Sequence, residues 1–400
     1  MSPYGAPASG QFTSPSPAST NTQPSFPGVP SAPGGGQAWT PPPKPGLIPL
    51  RPLGFGTLLG ASFQVMRRNP KPTFGIALLL NGLVAVVFGA FYGFLAAFAI
   101  GRFESATFDE QNDILAGLVG GIILATIIPV SLSLIITAIL QGVVSLEVAR
   151  GTIGERLTVS GLWRLAKGRI GALIGWSFIL SGVLFAVILA LTLIVVLIGV
   201  LGGGIGVGFA ILIGVVGFMA IIVLSAWIGT KLSLVPSLLM LERETIVGAM
   251  RRSWSLTNGY FWKTFGTQLL VNVIVQTAAQ IITTPVSFIL GIGGGLLNPN
   301  GDEQGTIAFL VITTVFSGVV GAVFGAIAVV VQSAVVALIY IDIRMRKEGL
   351  DLDLTRFVEA RQTGDSSVAN PYARNEGATG TGSPVYPNTP SAGPNSSPWA

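Results

Sequence analysis

The chain of 400 residues contains no cysteine and no histidine, and only 10% of its residues are charged. Without Cys there is no disulfide frame and no thiolate nucleophile. Without His the commonest general base and the commonest transition-metal ligand are both missing. Most hydrolase chemistry is set aside on these grounds, and no catalytic residue, metal ligand or cofactor site is expected. A secretory signal is also lacking at the head of the chain, where about seventy polar, Pro- and Gly-rich residues precede the first apolar run. Membrane insertion is therefore expected to start from an internal helix.

What is abundant is apolar and small: 50% of the residues are hydrophobic and 53 are Gly, a composition that soluble domains of this length do not show. Six long apolar stretches predict helices at roughly 73–100, 114–146, 171–200, 205–241, 264–292 and 307–341. Each reaches the ~20 residues needed to cross ~30 Å of hydrocarbon. Residues 1–46 and 362–400 are too polar and too rich in Pro, Gly and Ser to offset chain entropy by burial, and are expected to be disordered tails around a membrane domain at 47–361.

The 22 Lys and Arg residues divide unevenly among the gaps. Five precede the first span (Lys44, Arg51, Arg67, Arg68, Lys71), five lie between the second and third, five run from Lys231 near the end of the fourth to the start of the fifth, and six follow the last. The alternate gaps hold Arg102 alone, with Glu104, Asp109, Glu110, Asp113, Asp302 and Glu303. Cations gathered on one side obey the positive-inside rule and predict both termini in the cytoplasm; Arg outnumbering Lys sixteen to six, with abundant Ala, Gly and Val, points to a bacterial cytoplasmic membrane. The counter-charge nearest to such cations is an anionic lipid headgroup rather than nucleic acid. The acidic stretch 101–113 reads as a solvated outer loop, because carboxylates on flexible residues supply no metal geometry.

A repeat of about 90 to 100 residues emerges when Phe63, Trp163 and Trp254 are aligned with Gly75, Gly175 and Gly266. Each unit reads as an amphipathic segment, a helical hairpin, and an apolar residue followed by a carboxylate: Leu146-Glu147, Leu241-Glu242 and Ile341-Asp342. The expected fold is all-α, with six transmembrane helices as three hairpins, each preceded by a cytoplasmic amphipathic helix.

Two features could carry function. The first is a collar of interfacial cations, Arg67 and Arg68, Arg164, Lys167 and Arg169, and Arg251 and Arg252, placed to grip anionic headgroups. The second is a polar stripe on the fifth span, where Gln268, Asn272, Gln276, Gln280 and Thr284 recur every four residues before Pro285. In hydrocarbon such side chains face another helix or a wet cavity. The stripe therefore reads either as interhelical glue, with Asn81, Gln141, Gln332 and Ser333 as partners, or as a path for a polar solute. Lys231, near the end of the fourth span, is expected to snorkel to the interface. Gly89-x-x-x-Gly93, Gly117-x-x-x-Gly121 and Gly321-x-x-x-Gly325 would allow helices to approach closely.

Residues 48–70 (IPLRPLGFGTLLGASFQVMRRNP), 241–262 (LERETIVGAMRRSWSLTNGYFW) and 340–352 (YIDIRMRKEGLDL) resemble cytoplasmic segments of bacterial proteins that carry the membrane domain of glycerophosphoryl diester phosphodiesterase. In the namesake enzymes this portion is an anchor, and hydrolysis belongs to a separate barrel that uses His and metal-binding carboxylates. No such catalytic residue has a counterpart here. What the resemblance implies is a helical module in glycerolipid or envelope-lipid metabolism. Taken together, the expectation is a non-enzymatic accessory or scaffold binding anionic or glycosylated lipids, with envelope-biosynthesis membrane proteins as further partners; a lipid or small-solute transporter using the stripe is the alternative.

Overall fold

The computed structural model describes residues 46–103, 107–297, 303–363 and 370–373. Both polar tails therefore lie outside the described residues, apart from Gly46, the 362–363 pair and Asn370–Ala373. Every described element is helical: α1 (Phe55–Arg68), a π turn (Lys71–Gly75), α2 (Ile76–Phe103), α3 (Phe108–Thr152), α4 (Val159–Ala166), α5 (Ile170–Leu201), α6 (Gly203–Leu232), α7 (Val235–Leu241), α8 (Ile246–Thr257), α9 (Phe261–Leu297), α10 (Glu303–Glu348) and α11 (Leu350–Gln362). Among them are six helical segments long and apolar enough to cross a membrane: Lys71–Ala96, Thr126–Thr152, Ile170–Leu201, Gly203–Leu241, Phe261–Ile289 and Val311–Glu348. This is the architecture of a multi-pass membrane protein.

The six segments fall where the hydropathy pattern places them, yet they are unequal in role. More than half of the apolar window of α10 is buried and over a third of that of α3, whereas none of that of α5 is. Thus α10 and α3 form the core, and α5 with α6 present apolar side chains outward almost throughout, as hydrocarbon allows. Close packing of α2 on α10 runs antiparallel through small residues, with Gly89 near Thr314, Ala85 near Gly318 and Asn81 near Gly325. The Gly-x-x-x-Gly pairs contribute only one partner each to such contacts, since Gly93, Gly117 and Gly321 face open space.

Connections follow from local chemistry. Pro70 and Pro72 lack N–H donors, so α1 stops at Arg68 and the Gly75 N–H reaches back to the Pro70 carbonyl at 2.8 Å. Between α5 and α6 the turn needs Gly202, whose Cβ would lie 2.5 Å from Gly206 Cα, and Gly203, which adopts φ +57°. Thr158 and Thr245 cap α4 and α8, each accepting a hydrogen bond from the N–H of a Gly three residues on. The Pro236-kinked fourth span is divided: α6 ends at Leu232 and Pro236 opens α7.

At the basic end, buried carboxylates staple the long helices to the short ones. Asp342, 1% exposed, accepts hydrogen bonds from the Leu53 N–H at 2.7 Å and from Arg346 Nε at 3.0 Å, and pairs with Lys263 at the start of α9. Glu242 receives Arg252 Nε at 2.9 Å and the Tyr340 hydroxyl at 3.0 Å, while Arg344 donates to that hydroxyl oxygen at 2.9 Å. Glu147 accepts from Asn69 Nδ2 at 3.1 Å. These are the three carboxylates that the repeat places at its unit ends, although α3 and α10 continue beyond theirs.

Removing one member of such a buried cluster strands the others at a cost of about 3–5 kcal/mol. Asp342→Ala is accordingly expected to lower the melting temperature of the detergent-solubilised protein sharply. Arg251→Ala, at an exposed side chain with no hydrogen bond or ion pair among the described residues, should stay within about 0.5 kcal/mol of the parent.

Candidate functional site

At the basic end a groove of about 930 Å³ lies between the last turns of α1 and the segment that follows α3. Arg67, Arg68 and Arg156 line it, with Gln64, Phe63 and Leu47. Its floor is held by backbone: the Leu47 N–H bonds the Gly151 carbonyl at 2.9 Å, and a Cβ on Gly46 would lie 2.4 Å from the Thr152 carbonyl oxygen. Only Gly allows that approach.

The three arginines differ in duty. Arg68 donates to the carbonyls of Gly151 at 2.6 Å and Glu155 at 3.3 Å, tying α1 to the α3–α4 connection. Partial burial pulls its pKa down, with nearby Glu147 acting in the opposite direction. Arg67 and Arg156 are exposed and make no hydrogen bond or ion pair with the described residues. Two unpartnered guanidiniums beside a fixed one, over a wall with Phe63 and Leu47, suit an anionic group carrying an apolar body.

The other predicted cations do not share this groove. Arg164 and Lys167 are exposed on or beside α4, and Arg251 is exposed on α8. Arg169 Nη1 donates to the Glu244 carbonyl at 3.3 Å. Arg252 is ion-paired with Glu242 and with Glu348, at 2.9 and 2.7 Å. Burial works against its charge, but both carboxylates more than offset that and keep its pKa above the usual arginine value. Lys231 does not snorkel into open surface. It is 7% exposed, with Nζ over the Trp254 ring at 5.4 Å.

The polar stripe of α9 is divided along its length. Gln268 Nε2 donates to Ser233 Oγ at 2.9 Å, and Asn272 Oδ1 accepts from Gln332 Nε2 at 3.5 Å. These two contacts are interhelical. Gln276, Gln280 and Thr284 are exposed instead, with only a 3.5 Å bond from Thr284 Oγ1 to Gln280 Oε1 among them. Asn81 turns back on the Ala77 carbonyl of its own helix at 2.9 Å.

Sequence reasoning missed two participants. Arg156 shares the polar face of the amphipathic segment 153–170 with Ser160, Arg164 and Lys167 but is not among the cations singled out for headgroups; it precedes α4 and enters the groove with the turn after α3. Tyr372 falls in the segment read as tail, yet it is 3% exposed: its hydroxyl bonds the Ala149 carbonyl at 3.0 Å and Thr152 Oγ1, and Arg344 donates to its carbonyl at 3.2 Å. Burial raises the pKa of this phenol, so it stays protonated as a donor. A lone aromatic after Asn370-Pro371 is the only trace of this in the sequence.

Among the described residues no cluster of His, Cys, Asp or Glu is arranged to hold a metal ion. Glu104 and Asp302 lie outside the described residues, as do the side chains of Asp109 and Asp113. Comparison of the chain with protein-family models, with curated proteins and with solved structures gives no match.

Proposed function

We propose that this chain is a non-enzymatic accessory or scaffold of the bacterial cell membrane that binds anionic lipid, in the setting of envelope-lipid metabolism. The observation that carries this reading is the groove in which Arg67 and Arg156, with no hydrogen bond or ion pair among the described residues, stand beside the pinned Arg68. In the same reading, the chain forms three transmembrane hairpins whose basic end, with both termini, faces the cytoplasm. The short helices α1, α4 and α8 lie in the headgroup layer there, where Arg164, Lys167, Arg169 and Arg251 add attraction for anionic lipid. The cation count of the alternate gaps supports the orientation. The resemblance to phosphodiesterase membrane domains supports the lipid setting, with the role of an anchor or partner-binding module.

Each cation near the surface contributes ~1 kcal/mol toward anionic lipid, so Arg67→Gln combined with Arg156→Gln is expected to weaken phosphatidylglycerol binding by roughly ten- to thirtyfold. Native mass spectrometry of the purified protein measures it. Retention equal to that of the parent would count against the groove.

The exposed amides of Gln276 and Gln280 favour a second reading, transport of a lipid or small polar solute along α9. Exposed amides facing hydrocarbon are costly, so a wet path would relieve them. Because the chain has no thiol, Gln276→Cys gives a clean reporter. Reaction with a water-soluble maleimide in intact membranes supports a path, and protection equal to that of a lipid-facing Val273→Cys control rules it out.

A further inference from the structure

Hydroxyl side chains in the long helices of this chain ordinarily return their proton to a carbonyl one turn back. Ser145 does so to Gln141, Thr230 to Ala226 and Thr267 to Lys263, each at 2.7 Å. Other polar side chains have no such bond, the buried hydroxyls of Ser237 and Thr264 among them, and five of these side chains gather in one place. Thr137 and Gln141 on α3, Ser177 and Ser181 on α5, and Ser333 on α10 make no side-chain hydrogen bond with the described residues. All five line two adjoining cavities of about 130 and 290 Å³, which share Thr137, Gln141, Ser233, Pro236 and Val336. The cavities lie where α3, α5, α10 and the α6–α7 junction meet, and no residue lining the basic groove takes part.

Unsatisfied amides and hydroxyls inside a span cost free energy unless something polar fills the space. The lining holds no charged residue, so nothing balances the charge of an ion. What it offers is a mixture of donors and acceptors: the carboxamides of Gln141 and Gln332, the latter also donating to Asn272, hydroxyls that rotate to suit, and Ser233 oriented by Gln268 at 2.9 Å. Trp176, 4% exposed, supplies a flat apolar wall. At ~30 Å³ per water, the two compartments correspond to about four and about ten waters, room for a three-carbon polyol and for a single sugar ring.

From this convergence we infer that the bundle contains a binding site for a neutral polyol, a glycerol or hexose unit, taken either as a free solute or as the headgroup of an uncharged glycolipid. The site is independent of the anionic-lipid groove: loss of charge at Arg67 and Arg156 leaves it intact.

Ser177→Cys places a single thiol on the cavity wall of the full-length protein in nanodiscs, and N-ethylmaleimide reports its occupancy. One arm adds free glycerol or glucose to the buffer; the other includes glucosyl-diacylglycerol in the bilayer. At least one arm is expected to slow modification tenfold or more, the free arm alone identifying a solute and the lipid arm alone a headgroup. Gln141→Leu in the same background should abolish the slowing. Should Cys at 177 prove unreactive, the melting temperature of the cysteine-free chain serves as readout, with the same ligand raising it and Gln141→Leu removing the increase. Unchanged rates and unchanged melting in both arms, or an effect that survives Gln141→Leu, would overturn the assignment and leave a cavity holding only water.

Discussion

The concentration of buried charge at one end of the helices is the constraint on which the rest of this structure depends. A long apolar helix satisfies its own backbone and needs little else in hydrocarbon, so α5 and α6 can present nearly every side chain outward. Specificity has to come from elsewhere. Here it comes from Asp342, Glu242 and Glu147, each taken out of solvent and each bonded to groups from a different part of the chain: the Leu53 N–H and Lys263, then Arg252 and Tyr340, then Asn69. A buried carboxylate without such partners would be strongly destabilising. The pairing thereby fixes where α1, α8 and the start of α9 lie against α3, α7 and α10.

The same economy explains the two candidate sites. Arg252, Arg344 and Arg346 are absorbed by carboxylates and serve the fold. Among the described residues Arg67 and Arg156 have no such ion pair, and they line a groove beside which Gly46 and Gly151 let the backbone and Arg68 pack closely. Deeper in the bundle the relation is inverted: there is no charge, and side-chain amides and hydroxyls are left over from packing. In the proposed reading one end of the molecule takes an anionic group, and the interior a neutral one that both donates and accepts hydrogen bonds.

Much of the architecture was legible in the sequence because hydropathy and helix length are dictated by the bilayer rather than by tertiary contacts. The six spans fall near their predicted limits for that reason, and the deviations have local causes, such as Pro236 opening a new helix and Gly202–Gly203 supplying the turn. Side-chain duty was less legible. Arg251 and Arg252 are neighbours of identical type, yet only Arg252 faces the two carboxylates, 10 and 96 residues away in the chain. The four-residue period of α9 showed that its polar groups share a stripe, but not that Gln268 would meet Ser233 while Gln276 meets nothing. Capping offered a signal that periodicity hid: Thr158-x-x-Gly161 and Thr245-x-x-Gly248 each mark the start of a short helix.

Orientation is the claim from which the headgroup reading of the basic end follows, and it is open to a direct measurement. Single cysteines at Ser160, beside the basic groove, and at Gly204, in the uncharged turn, can be labelled with a membrane-impermeant maleimide in intact cells and again after permeabilisation. Labelling of position 204 in intact cells, with position 160 reacting only once the membrane is opened, is the expected result. The reverse order would place the arginine groove outside the cell and contradict the account.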